Sequence, residues 1–262
     1  MVFNPLGDSL SIVWDLIAAF ISLVLVQMVV LSNAKIQKSG KLDQVITRKI
    51  VHIFAGPVYC ISWLLFSGTI ISRFIALIVP GFFIFAFVMI GTGRMENENM
   101  VKSMSRTGDP KELLGGTLHY AIIMVIFSIL WFYSPANPTS LIIVGCLAGG
   151  DGIADVVGRK YGGEKKFGLG GSQKTLIGSL GMFIGSFISS IILVLIFSIA
   201  VLEFNIAILI APILIISAVA TVVEALAPKG HDNWMIFVSV IIVILIFWLA
   251  IPDMWPFNFL SF

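Results

Sequence analysis

Residues 176–201 read LIGSLGMFIGSFISSIILVLIFSIAV, 26 positions without one ionisable side chain. An α-helix rises about 1.5 Å per residue, so such a run reaches across the roughly 30 Å of a bilayer's hydrocarbon core. Comparable apolar runs occur at 9–32, 50–67, 70–91, 114–133, 139–157, 205–224 and 234–251. The 262 residues are 58% hydrophobic and 11% charged, against about 25% charged in a soluble domain. The fold class predicted is all-α: a polytopic transmembrane helical bundle of about eight spans, seven to nine allowing for the weaker runs at 50–67, 114–133 and 139–157. A single integral membrane domain, 1–262, is expected, because no linker or internal repeat divides the chain.

Charge placement tests the numbering of spans. Lys35, Lys38, Lys41, Arg48 and Lys49 fall in 33–49; Arg94, Lys102, Arg106 and Lys111 in 92–113; Arg159, Lys160, Lys165, Lys166 and Lys174 in 158–175; Lys229 in 225–233. These are alternate loops, and they hold all the basic residues except Arg73. The positive-inside rule makes them cytoplasmic and puts both termini on the opposite face. A missed span would scramble that pattern. The first run lacks a positive n-region and an evident cleavage site, so it reads as a retained helix. Cys60 and Cys146 lie within predicted spans without metal-ligand spacing and read as packing residues. Basic residues are not interleaved with exposed aromatics, so nucleic acid is not an expected partner.

Against this background the segment 149–160, GGDGIADVVGRK, stands out. Asp151 and Asp155 share a helical face by their i, i+4 spacing, and ionisable groups at membrane depth are costly and usually functional. The pair suits Mg²⁺ or Mn²⁺, although Asp155 has an alternative as a simple helix salt bridge to Arg159. The loop GGEKKFGLGGSQKT at 162–175 is no Walker A sequence. Its glycines, among them Gly170 and Gly171, nonetheless let backbone N–H groups converge on an anion, and Lys165, Lys166 and Lys174 neutralise phosphate. Lys174 is the strongest candidate, since Thr175 follows it at a helix N-terminus. Gly178, Gly181 and Gly185 read as close helix packing.

Further polar residues cluster toward the same loops. Arg48 and His52 share a face at the start of the second run, while Lys49 reads as an interfacial anchor. Glu224 lies within an apolar stretch, and Asp232 and Asn233 precede the last run, where they also suit a helix cap. Glu112 and His119 enter the fourth run. Asp109, with Pro110 and Glu112, reads as a capping box after a short interfacial helix. Asp15 in the first run needs a partner that the sequence does not name.

Taken together, these blocks resemble the phytol kinase and dolichol kinase family of CTP-dependent polyprenol kinases, and phytol kinase most closely. The resemblance rests on Arg48–Gly56, on Met104–Gly116, on Gly150–Asp155 with Gly158–Lys160, on Lys174 with Gly178 and Ser179, and on Val223–Ala225 with Asp232 and Asn233. It implies transfer of the γ-phosphoryl group of CTP, or another nucleoside triphosphate, to an isoprenoid alcohol drawn from the bilayer. By the same resemblance Asp151, Asp155, Lys174 and Glu224 are catalytic, with Asp151 and either Asp155 or Glu224 holding Mg²⁺. Arg48, His52, Arg159, Lys165, Gly170, Gly171, Lys174, Ser179, Asp232 and Asn233 belong to the nucleotide and phosphate side, and Glu112 and His119 to the alcohol side. Membrane lipids surround such an enzyme; a homo-oligomer is left open. Where plant phytol kinases look like Lys-Ser-Trp-Ala-Gly-Ser, this chain has Lys174-Thr175-Leu176-Ile177-Gly178-Ser179, which leaves the particular alcohol open.

Two other readings compete. A CTP-dependent phospholipid cytidylyltransferase would need the same metal and nucleotide at a membrane edge. A transporter would use the buried acids as ion sites, yet its usual inverted repeats and midplane polar residues are not evident here.

Overall fold

A computed structural model of the protein describes residues 3–38, 44–133, 136–201 and 204–261. Lys41 of the first basic loop lies outside them. The chain forms two compact units, Val2–Ile129 and Leu130–Phe262, taken in turn below.

The N-terminal unit is built from α1 (Ser11–Lys38), α2 (Gln44–Ser62), the nearly continuous α3 (Ser72–Ala76) and α4 (Ile78–Gly91), a short α5 (Glu98–Met104) and α6 (Gly116–Leu130), whose last residue starts the next unit. Lipid tails are as apolar as the side chains they would replace, so membrane helices associate through close packing and interhelical hydrogen bonds. Such bonds are present: Ser22 and Ser62 join α1 to α2 at 2.5 Å, and the Tyr59 hydroxyl meets Ser128 at 2.8 Å and the Ala76 carbonyl at 3.2 Å. The partner that Asp15 requires is a serine pair. Its carboxylate accepts from Ser67 N (2.7 Å), Ser67 Oγ (2.9 Å) and Ser72 Oγ (2.6 Å), tying α1 to the start of α3.

The C-terminal unit contains α7 (Thr139–Val144), α8 (Asp151–Tyr161), α9 (Leu176–Ala200), α10 (Ile206–Leu226) and α11 (Asp232–Ala250). Between α7 and α8 the chain does not stay α-helical. Residues Gly145–Gly150 widen into π-helical turns, wholly buried. Small residues permit this, since a Cβ on Gly145 would collide with Ser190 and one on Gly185 would come within 2.8 Å of the Gly149 carbonyl. Thus α9 lies against both α8 and the π turns, which is the close packing expected of Gly178, Gly181 and Gly185. Such widened turns occur often at functional sites, and this one delivers Asp151.

Among the described residues, seven helical stretches are long and apolar enough to cross a membrane: Asp8–Gln37, Ser72–Gly91, Pro110–Leu130, Thr139–Tyr161, Leu176–Ala200, Ile206–Leu226 and Asp232–Ala250. Large apolar side chains such as Phe20 (67% exposed) and Ile199 (85%) face outward on them, as a hydrocarbon solvent allows and water would not. The run at 50–67 forms α2, which falls outside the seven because Arg48, Lys49 and His52 dilute its first turns. Helix α1 runs to Lys38, beyond the expected limit at residue 32, and α8 continues through Arg159 and Lys160 to Tyr161. Cys60 and Cys146 are buried free thiols.

Candidate functional site

The cluster of charge in the C-terminal unit is assembled by a loop folding back on itself. Phe167 and Lys174 exchange backbone hydrogen bonds, with Lys174 N donating at 2.7 Å and Phe167 N at 2.9 Å. The reversal between them needs left-handed backbone at Gly170 (φ 54°) and Gly171 (φ 79°), which residues with a Cβ rarely adopt. Gly170 also packs against Pro228, where a Cβ would approach to 2.8 Å, and its carbonyl accepts from Lys229 N at 3.4 Å. The loop is therefore pinned just beyond the end of α10, and Lys174 meets Glu224 there.

Lys174 Nζ and Glu224 Oε1 form a direct ion pair, with the lysine side chain 19% exposed and the glutamate 3%. Burial alone would lower the ammonium's pKa. The negative charges of Glu224 and Asp151, joined by Asp232, outweigh that and hold it above the ordinary lysine value. Asp151, 4% exposed, opens α8 directly after the π turns, and half-buried Asp232 opens α11, its carboxylate accepting from Asn233 N at 3.0 Å. Asn233 is itself buried. Thus Lys174, Glu224, Asp151 and Asp232 share one electrostatic environment, although they come from four separate stretches of chain.

Asp155 accepts from Arg159 Nε at 2.8 Å, the local salt bridge that the spacing had offered as an alternative. The pair is half exposed on the arginine side and contributes at most a few tenths of a kcal/mol, about 0.3–0.5. Among the described residues, no three of His, Cys, Asp and Glu gather closely enough to hold a metal by themselves. Asp151, Asp155 and Glu224 are therefore not a preassembled triad. Mg²⁺ does not demand one, because it commonly takes one or two carboxylates and fills its other positions with water and phosphate oxygens. The excess of carboxylate over ammonium around Lys174 fits that donor chemistry. Lys165 is exposed beside the glycine loop, Ser179 is the fourth residue of α9, and Thr175 caps that helix by accepting from Gly178 N at 3.1 Å.

The predicted residues of the N-terminal unit sort differently. His52 lies against the Tyr120 ring, centroids 4.5 Å apart, and both line an apolar crevice. Arg48 is half-buried one turn earlier on α2, and Lys49, expected as an interfacial anchor, is only 5% exposed. Glu112 serves the turn before it: its carboxylate accepts from Arg106 N and from Thr107 Oγ1 at 3.1 Å. Asp109 caps alone, accepting from Lys111 N at 2.9 Å, so the expected capping box is only half formed. The segment Pro110–Leu114 is a tight 3₁₀ turn, and the short helix expected before it is α5, capped by Asn97. His119 is half-buried on α6 and does not line the crevice. Sequence reasoning missed Tyr120 and Thr117 as crevice residues; their signal, i and i+3 on one face of α6, is indistinguishable from ordinary core packing.

Fold and site define a polytopic helical membrane protein carrying a half-buried lysine among carboxylates. No family model matches the chain, and no solved structure matches it. Curated relatives do. It is 42% identical over 158 residues to the probable phytol kinase 2 of Oryza sativa subsp. japonica, covering 60% of this chain and 50% of that protein. It is 39% identical over 157 residues to the farnesol kinase of Arabidopsis thaliana, with 60% and 50% covered, and 36% over 169 residues to phytol kinase 1 of Arabidopsis thaliana, with 64% and 54% covered. All three are chloroplastic proteins by name. The chain spans about half the length of the curated relatives it matches. Over its matched part the chain is homologous to these plant phytol and farnesol kinases.

Proposed function

We propose that the protein is a prenol kinase that moves the γ-phosphoryl group of a nucleoside triphosphate, CTP in the first instance, to the hydroxyl of phytol, geranylgeraniol or a related polyprenol. The observation that carries this reading is the half-buried Lys174–Glu224 pair under the charge of Asp151 and Asp232, together with relatives named for phosphorylating phytol and farnesol. Phosphoryl transfer asks a protein mainly for positioning and charge neutralisation. Lys174, held protonated by its neighbours, and Arg159 at the end of α8 supply positive charge for the phosphates. Lys165 and the N–H groups around Gly170 and Gly171 take the outer part of the nucleotide, with Ser179, Asp232 and Asn233 beside them.

The alcohol oxygen attacks the γ-phosphorus, its new O–P bond forming as the bond to the bridging β,γ oxygen breaks and the nucleoside diphosphate leaves. The alcohol's proton passes to a carboxylate of the cluster. Asp151 and Glu224 are the residues that would hold Mg²⁺ or Mn²⁺, with Asp155 as the alternative second acid. When bound, the ion supplies neutralisation of charge on the phosphate oxygens. By the positive-inside rule the loop that carries Lys174 faces the cytoplasmic side.

The test incubates purified protein and Mg²⁺ with a panel of prenols and γ-labelled nucleotides. Label from γ-CTP is expected in the lipid, and Asp151→Asn is expected to abolish it while the protein stays folded. Label from α-CTP in the lipid would establish a cytidylyltransferase instead, and no transfer from any nucleotide would refute the kinase reading.

A further inference from the structure

Exposed apolar and basic side chains meet where three membrane-spanning stretches of the C-terminal unit end. Tyr161 closes the span Thr139–Tyr161, Leu176 opens Leu176–Ala200, and Leu226 closes Ile206–Leu226. The hairpin 162–175 is tethered to all three ends. Its legs continue α8 and α9, the Phe167–Lys174 pair joins them, and its turn rests on Pro228, two residues beyond α10. A loop fixed to three span ends lies along the membrane surface rather than projecting from it, at the depth of the lipid headgroups.

The side chains it presents suit that depth. Phe167 is 42% exposed and Leu169 57%, and Tyr161, Leu176 and Leu226 are exposed at the span ends. The Leu169 carbonyl accepts from Ser172 N at 3.1 Å and from Ser172 Oγ at 2.9 Å, so the turn that displays it is already closed. Lys160, Lys165, Lys166 and Lys229 are exposed too, and Lys160 Nζ stands 5.1 Å from the centre of the Tyr161 ring. Glu164 is the one acid between residues 160 and 175. Apolar side chains edged by cations are what an interfacial segment uses: hydrocarbon enters the headgroup boundary while ammonium groups stay with the phosphates.

We infer that this hairpin is a docking surface for anionic phospholipid headgroups, with Phe167 and Leu169 at the acyl boundary and Lys160, Lys166 and Lys229 on the phosphates. Lys165 is left to the nucleotide. Docking ties the strand that carries Lys174 to the membrane surface.

Cys60 and Cys146 are buried, so Leu169→Cys gives the full chain one accessible thiol for an environment-sensitive nitrobenzoxadiazole label. The labelled protein is compared, without nucleotide, in nanodiscs of phosphatidylcholine alone and of an equal mixture with phosphatidylglycerol. In the mixed bilayer the emission is expected to move to the blue and to be quenched by lipids spin-labelled near the top of the acyl chain; in the neutral one it stays water-like. Each cation near an anionic surface favours docking about fivefold, so Lys160→Gln/Lys166→Gln/Lys229→Gln is expected to weaken it about a hundredfold and remove the difference. The same label at Ile199→Cys, on the outward face of α9, checks that the triple variant is folded and inserted. A Leu169 label reached by aqueous iodide in both bilayers, or quenched equally by lipid in both, overturns the inference. So does a response that survives the triple variant, or a blue shift that inorganic phosphate alone produces in the neutral bilayer. A lipid response with no phosphoryl transfer from any nucleotide sustains the docking surface and overturns the kinase reading, while transfer with no lipid response does the reverse.

Discussion

Replacing Lys174 with methionine keeps most of the side chain's bulk and removes its charge. Glu224, 3% exposed, is then left as an uncompensated carboxylate within the field of Asp151 and Asp232. A unit charge pair about 4 Å apart is worth about 4 kcal/mol at an effective dielectric near 20, and removing one partner of a buried pair typically costs about 3–5 kcal/mol. Because Lys174 is one-fifth exposed, the lower end applies, about 3 kcal/mol. For a chain of this size that corresponds to a fall in Tm of roughly 6–10 °C. The double variant Lys174→Met/Glu224→Gln removes both charges and is expected to regain about 2 kcal/mol of that loss. Turnover should fall by about a hundredfold in the single and stay low in the double, since neither restores a cation for phosphate. Thermal unfolding in detergent, paired with γ-phosphoryl transfer, reads both quantities. A double variant less stable than either single one, its costs simply additive, would refute the ion pair as an energetic unit; unchanged turnover in Lys174→Met would remove Lys174 from the phosphate site.

The charge state of Lys174 gives a pH prediction. Its pKa is raised by its carboxylate neighbours despite burial, and a base with a raised folded-state pKa stabilises fully below its unfolded value and loses that contribution only as pH climbs through the folded one. The stability gap between wild type and Lys174→Met should therefore hold flat from about pH 7 to 10 and close above lysine's ordinary value, about 10.4; closure already at neutral pH contradicts the assignment. Gly145→Ala drives a methyl group into Ser190, whose backbone N and Cα would lie 2.7 and 2.8 Å away, and should cost at least the 1–3 kcal/mol of an overpacked core, visible as a lowered Tm. Asp15→Asn cannot accept all three hydrogen bonds from Ser67 and Ser72, so a loss of about 2 kcal/mol is expected; a neutral effect on unfolding would show that those serines find equal partners elsewhere.

Much of the helical framework was legible because it is imposed by the solvent. A bilayer offers no partner to a bare peptide group, so long apolar segments must satisfy their own backbone as helices. Run lengths in the sequence then mark the spans, and α2 fell short of the apolar test because Arg48, Lys49 and His52 occupy its first turns. Local pairings were legible for a similar reason. Asp155 and Arg159 are four residues apart on one helix, and a fixed 3.6-residue period brings them together whatever else the chain does. The hold of Glu112 on the turn at 105–109 was not legible, because that turn has no periodic signature.

By itself, then, the sequence determined an all-helical membrane protein, the approximate limits of its spans, the loop glycines and the i, i+4 pairs, since helix geometry and hydrocarbon solvent act on neighbouring residues alone. Only the tertiary structure decided that Lys174 pairs with Glu224 fifty residues away, that Asp15 is answered by Ser67 and Ser72, and that His52 lines an apolar crevice. Those contacts depend on how each helix is rotated about its axis and on where a glycine loop closes. That rotation is settled by side-chain packing between helices distant in sequence, such as Gly185 against Gly149, and pattern along one helix cannot express it.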